Sequence, residues 1–281
     1  MNSVRLADGC NMAYRVDDFT DPWTEPEVVV LLHGVAESSE AWFGWVPHFA
    51  RHHRVIRPDM RGFGLSTAMP ADYPWTLDGM ADDLLQFFDA LGLKRKPHLV
   101  AAKVAGMVAL DFAARHPGRL ASLTVIGNPV RGSDVTGLAG YGAEVVEQQG
   151  VAAWAANGQA ARLGPDMPPA AHAWWTAMMG RTPASTQAGF LRRLGSFDAT
   201  PLLERVSCPT LVIANGSSTG KTAQITSEAA VRAWQVRIPG SQLLLMPSDS
   251  YHVAASEPDR AALATRAFIE QTGGHHVRPA P

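Results

Sequence analysis

The stretch Leu99-Val100-Ala101-Ala102-Lys103-Val104-Ala105-Gly106-Met107-Val108-Ala109-Leu110, LVAAKVAGMVAL, is apolar apart from a single lysine. Its first half reads as a strand buried on both faces; its second half, which runs on to His116 and stops at Pro117-Gly118, reads as a helix. A strand that turns into a helix with small residues flanking the turn is one unit of a parallel sheet covered by helices. The flanking sequence repeats that unit. EVVVLLHG (27–34), HRVIRPDM (53–60), LASLTVIG (120–127), PTLVIA (209–214) and SQLLLMP (241–247) are further strands. Helical spacing marks 41–50, the run after Thr76, 223–236 and 257–271. Arg5 to Val16 alternates around Asp8-Gly9, the signature of a hairpin.

The section 131–200 departs from this alternation. It is rich in Ala, Gly and Trp, with helical stretches near 143–162, 170–180 and 184–195 and no strand, so it reads as a helical cap inserted into a core made of 1–130 and 201–272. Residues 273–281 read as a loose tail. With 24 Lys and Arg against 26 Asp and Glu, and no dense basic stripe, the chain offers nothing to a run of phosphates, so nucleic acid is not an expected partner. Its two cysteines, Cys10 and Cys208, have no zinc-site spacing. No apolar run approaches the roughly 20 residues of a membrane crossing, and the N-terminus has no apolar leader core, so a cytoplasmic protein is expected, as monomer or homodimer, without cofactor or metal.

Reactive loops of a parallel sheet lie at the carboxyl ends of its strands. Here these ends read His33-Gly34-Val35, Asp59-Met60-Arg61-Gly62-Phe63-Gly64, Lys103, Asn215-Gly216-Ser217-Ser218 and His252. At these positions the chain resembles the α/β-hydrolase superfamily, in particular its capped enol-lactonases, esterases and carbon–carbon bond hydrolases. LLHG is similar to the oxyanion loop, RPDMRGFGLS to the Asp-x-Arg-Gly-x-Gly-x-Ser loop, and MPSDSYHVAASEPD to the segment bearing the catalytic histidine; the resemblance runs from Arg5 to Gln271. It implies an α/β fold, a mostly parallel sheet flanked by helices, with His252 catalytic and the Val35 and Val104 amides as oxyanion donors.

The same resemblance exposes two departures. The family motif Gly-x-Ser-x-Gly is here Ala101-Ala102-Lys103-Val104-Ala105, with lysine in the nucleophile's place. The acid's usual position holds Ser217 and Ser218, and a second position used by some members holds Asn128; Glu37 and Asp249 are the nearby carboxylates available to support His252. A lysine at a helix start, among alanines and valines, meets both the positive end of the helix dipole and a dry surrounding, and both disfavour its charged form. The expectation is a neutral amine that adds to a carbonyl or removes an acidic proton, with His252 shuttling protons and the two amides stabilising an oxyanion. The substrate class is a small apolar carbonyl compound: an ester, a lactone or a ketone. The alternative is a lysine paired with Glu37, Asp249 or a ligand carboxylate, which leaves a catalytically inactive homologue serving as a small-molecule binding protein.

Other signals carry less. ANGSSTGKT has one residue too few between Gly216 and Gly220 for a phosphate loop, and His52-His53 and His275-His276 lack companion ligands for a metal. Asp59 and Arg61 are expected to brace their loop as an internal ion pair. Trp42, Phe63, Trp154, Trp174, Trp175 and Met178 are expected to line an apolar pocket under the cap, each also a candidate for plain packing.

Overall fold

A computed structural model describes residues 1–136, 142–216 and 227–272. Eight strands form one sheet: β1 (Asn2–Arg5), β2 (Asn11–Asp17), β3 (Val28–Leu32), β4 (Arg54–Pro58), β5 (His98–Ala102), β6 (Ser122–Ile126), β7 (Thr210–Ala214) and β8 (Gln242–Leu245). They lie in the order β1-β2-β4-β3-β5-β6-β7-β8. Only β1 with β2 and β2 with β4 run antiparallel; the remaining pairs are parallel. The mostly parallel sheet is what the alternation of strands and helices implies, and its order agrees with the α/β-hydrolase fold that the resemblance implies.

Side chains alternate across each strand, so one sheet feeds two cores. Val28, Val30, Leu32, Leu99 and Ala101 enter the larger core. It is covered by α2 (Leu77–Leu91) and α3 (Val104–Arg115). Val29, Leu31, Val100 and Ala102 enter the second core. That face is closed by α1 (Val46–Phe49) and the last helix, Pro258–Thr272, named α10 below. Thr76 caps α2 by accepting from the Gly79 amide at 3.1 Å, and Gly92 ends it in the left-handed region at φ +58°.

Between β6 and β7 the described chain is helical: α4 (Ser133–Thr136), α5 (Ala143–Leu163), α6 (Pro169–Gly180) and α7 (Ala184–Leu194). Gly150, at φ +84°, breaks α5 after its second turn. α8 (Glu228–Gln235) opens behind Ser227, whose hydroxyl accepts from the Ala230 amide, and residues 223–226, where the sequence pattern begins this helix, lie outside the described residues. The short α9 (Val253–Ser256) follows His252 directly. The expected tail, 273–281, lies outside the described residues. Among the described residues no helix is long and apolar enough to cross a membrane.

Candidate functional site

Three strand ends meet at the site. β3 delivers His33, Gly34 and, through the following turn, Glu37. β5 delivers Lys103, and the loop after β8 delivers His252. Because β3 and β5 are paired neighbours, Leu32 opposite Ala101, the residues just beyond them share one rim of the sheet.

Lys103 occupies the sharp turn, with φ +59° and ψ −130°. A non-glycine residue in that region stores on the order of 1–3 kcal/mol of strain, so its neighbours must hold it there. They do so through two bonds: the Lys103 amide donates to the Ile126 carbonyl of β6 at 2.9 Å, and its carbonyl accepts from the Gly106 amide at 2.9 Å. Small residues are required around the turn. A Cβ on Gly106 would lie 2.4 Å from the Asn128 Cβ, and Ala101 and Ala105 are wholly buried.

The lysine side chain does not point into solvent. Its Nζ lies 2.5 Å from Glu37 Oε1, and both side chains are 1% exposed. The second carboxylate oxygen, Oε2, accepts from the Gly34 amide at 2.9 Å. His252 Nε2 stands 3.1 Å from the same Oε1 that meets the lysine. One buried carboxylate thus touches an ammonium, an imidazole and a backbone amide. Gly34 makes this arrangement possible, since a Cβ there would sit 3.0 Å from Lys103 Cε and 3.1 Å from Glu37 Oε2.

Burial alone would push the Glu37 carboxyl upward, but the Lys103 ammonium beside it, with His252 contributing less, outweighs burial and holds the group well below the ordinary carboxylate range. An ionised carboxylate without water is stable only opposite a cation, which makes Lys103 and Glu37 an ion pair. Burial pushes the His252 imidazole below its usual value against the pull of Glu37. It is therefore neutral near pH 7. The expected pair between Asp249 and His252 is not formed: Asp249 is exposed.

The loops are fixed by their own bonds. His33 Nε2 accepts from the Met60 amide at 3.0 Å, which puts its proton on Nδ1, 2.7 Å from the Gly34 carbonyl. Asp59 accepts from the Ser39 amide at 2.6 Å and the Leu65 amide at 2.9 Å. Arg61 instead pairs with Asp83 and Asp8, each at 2.6 Å, so the expected ion pair between Asp59 and Arg61 is replaced by two separate braces. The His252 loop is tied to the end of α5: the His252 amide donates to the Arg162 carbonyl at 2.7 Å, and Ser250 Oγ donates to the same oxygen at 2.6 Å. That tie joins the inserted helices to the site, and no short-range sequence pattern signals it.

Val35 and Val104 adjoin Gly34 and Lys103, and Val104 opens α3, where an amide has no partner within the helix. The aromatic residues divide. The Trp175 ring meets the His252 ring edge-on at 5.1 Å, and Met178 lines a cleft of about 160 Å³ with Glu37, Asp59, Arg15 and Arg181. Trp42 packs instead against Trp45 in the second core, and Trp154 lies under the Arg162 guanidinium. Phe63 packs between His33 and Phe190, and Trp174 lies at the surface against Phe43. Trp42 therefore faces the wrong side of the sheet for a pocket wall. Ser217 and Ser218 fall outside the described residues.

Fold and loop placement together define an α/β-hydrolase-fold protein whose turn carries lysine. Residues 27–162 match the family described as alpha/beta hydrolase fold. Over 103 residues the chain is 36% identical to the 2-hydroxymuconate semialdehyde hydrolase of a Pseudomonas species, covering 36% of each chain. It spans only about a third of the length of such relatives, 31% and 36% in two others. A longer likeness, 26% identity over 262 residues and 94% of the relative, is to a putative carbamate hydrolase of Agrobacterium fabrum, with 88% of this chain covered. Among solved structures, an esterase from Thermogutta terrifontis superposes with a TM-score of 0.82 at 24% identity, covering 98% of this chain and 100% of its own; at that identity the likeness speaks for the fold.

Proposed function

We propose that this chain binds a small, largely apolar carbonyl compound in a hydrolase-type pocket and does not turn it over through an acyl-enzyme, with Lys103 serving as a fixed ammonium. The observation that carries this reading is the 2.5 Å contact between Lys103 Nζ and Glu37 Oε1, both 1% exposed. A protonated amine has no lone pair for a carbonyl, and Glu37 already takes the Gly34 amide beside the oxyanion loop. Carbonyl chemistry as the ligand class is supported by the relatives, whose names specify hydrolases of a semialdehyde and of carbamates. Residues 131–200 are proposed as the cap over the pocket, with Trp175 and Met178 on its inner side.

A second reading is favoured by the neutral His252 imidazole, 3.1 Å from Glu37. If ligand binding draws Glu37 away, Lys103 becomes an amine nucleophile or base, His252 moves protons, and the Val35 and Val104 amides receive the oxyanion. Each such amide contributes on the order of 3 kcal/mol.

The full chain is to be assayed with p-nitrophenyl acetate and a γ-lactone, and treated with borohydride in the presence of acetophenone. The binding reading expects no turnover above buffer, no covalent adduct on Lys103, and saturable acetophenone binding by calorimetry. Turnover or an adduct that Lys103→Ala removes, in a variant that still melts cooperatively, would overturn it in favour of the second reading.

A further inference from the structure

The site contains a second group of polar atoms that the ion pair does not use. We infer that Asn128, Asn215 and His252 form a recognition site for a neutral primary carboxamide group on the ligand. This deepens the binding reading above and rests on it.

The three residues follow adjacent strand ends. Asn128 comes two residues after β6, Asn215 one residue after β7, and His252 lies on the loop after β8. β6 and β7 are in register, Ile126 opposite Ile213, and the Gly127 amide donates to the Ile213 carbonyl at 2.9 Å. The His252 loop is pressed onto this rim: a Cβ on Gly127, at φ +53°, would lie 2.5 Å from the Tyr251 carbonyl oxygen. Asn128, Asn215 and His252 are 5%, 7% and 3% exposed, yet Asn128 Oδ1, Asn215 Nδ2 and both ring nitrogens of His252 are buried with no hydrogen-bond partner, Nε2 only approaching Glu37 Oε1 at 3.1 Å.

A buried polar atom left unpaired loses its hydration with nothing in exchange, and three such residues at one rim are a standing demand for a partner. Their chemistry defines it. Asn128 Nδ2 donates to the Pro129 carbonyl at 3.2 Å, which orients the amide and leaves Oδ1 as an acceptor. Nε2 of His252 makes no hydrogen bond but stands 3.1 Å from the ionised Glu37 carboxylate, whose charge favours the proton on that nitrogen and leaves Nδ1 as a second acceptor. Asn215 Nδ2 is a donor. The vacant set is therefore two acceptors and one donor, and a primary carboxamide supplies two N–H groups and one carbonyl oxygen.

Charge selects among the rivals. Lys103 and Glu37 neutralise each other, so a ligand carboxylate would add an unbalanced buried charge and offer no N–H to the two acceptors. A ketone would satisfy Asn215 alone. One position at which the resemblance places an acid, Asn128, thus holds a neutral amide, and with Asn215 at the neighbouring strand end it reads a neutral amide.

The test measures binding of benzamide, acetophenone and benzoate to the full chain at pH 7 by calorimetry. Benzamide is expected to bind at least about 10-fold more tightly than either of the others, consistent with one or two added hydrogen bonds. The isosteric Asn215→Asp, which removes the donor, and Asn128→Leu, which removes an acceptor, are each expected to bring benzamide to the affinity of acetophenone. If acetophenone binds as well as benzamide, or benzoate binds best, the carboxamide inference fails while the carbonyl-pocket reading stands. If none of the three binds, both fail. If Asn128→Leu raises the melting temperature and leaves benzamide binding unchanged, water alone serves these atoms and the inference is overturned.

Discussion

Glu37→Gln removes one charge from the buried pair and keeps the shape of the side chain. In the wild type, Lys103 Nζ and Glu37 Oε1 are 2.5 Å apart with both residues 1% exposed, so the variant leaves an ammonium with no counter-charge and no water. Removing one partner of such a pair costs about 3–5 kcal/mol. For a chain of 281 residues this lowers the melting temperature by about 5–10 °C. The reverse variant, Lys103→Met, leaves the carboxylate alone, and its behaviour with pH identifies the interaction. In the wild type the folded-state value of Glu37 is depressed, so its stabilisation is present above the unfolded value and is lost as pH falls through the folded one. Without Lys103, burial raises the folded-state value, and the sign inverts: Lys103→Met loses stability as pH rises above about 4.5 and regains it in acid. Replacing both residues, as Lys103→Met with Glu37→Gln, recovers most of the loss, a coupling of several kcal/mol. The assay is thermal melting by circular dichroism at pH 4, 5.5 and 7, analysed as a double-mutant cycle. Single and double variants that are strictly additive, or a Glu37→Gln protein within about 1 kcal/mol of wild type, would refute the closed ion pair.

Three further outcomes follow from the same packing. Burial lowers the His53 value to about 4, so the unfolded chain binds the extra proton first and stability falls as pH drops from about 6.5 to 4. His53→Phe is expected to remove up to about 3 kcal/mol of that acid sensitivity, read from denaturant midpoints across the window. Arg61→Ala strips Asp83 of its bidentate partner and is expected to cost about 3–5 kcal/mol, whereas Arg61→Lys recovers only part of it; chemical denaturation of the three proteins measures the order. Gly106→Ala would gain about 1 kcal/mol of helix propensity, but its Cβ would meet the Asn128 Cβ at 2.4 Å, so a net loss of about 1–3 kcal/mol is expected, and a stabilised variant would show that the turn relaxes.

The architecture was legible because its signals are local. Buried runs such as EVVVLLHG and LVAA, separated by helical spacing and ended by Gly or Pro, define a parallel sheet without reference to distant residues. The rim residues were legible for the same reason, since a strand end locates them. What the sequence left open was pairing across the rim. Asp249 is three residues from His252 and points to solvent, whereas Glu37 is far away in the chain and touches it, because neighbouring strand ends rather than chain distance decide contact. Trp42 shows a related limit. It follows the His33-Gly34 loop closely, yet the turn of the chain carries it into the second core, beside Trp45 and Phe49. The separate braces of Asp59 and Arg61 were hidden because Asp8 and Asp83, the partners of Arg61, lie in a hairpin turn and a helix with no motif of their own.

Lys103, Glu37 and Gly34 form one physical unit, and none of the three is intelligible alone. A lysine on a strained turn, with φ +59° and a buried side chain, is a liability unless a carboxylate meets it. That carboxylate must in turn be held without water, which the Gly34 amide and the His252 imidazole accomplish. The approach of both side chains is open only because position 34 lacks a Cβ. Gly34→Ala therefore separates two accounts of the site. If the pair is a structural plug, displacing Lys103 Cε by a few tenths of an ångström destabilises the fold by about 1–3 kcal/mol, as ordinary overpacking does, and leaves the amine unreactive. If the pair instead restrains a latent nucleophile, the same substitution loosens the ammonium from Glu37, and borohydride trapping of a carbonyl ligand on Lys103 becomes stronger in the variant than in the wild type.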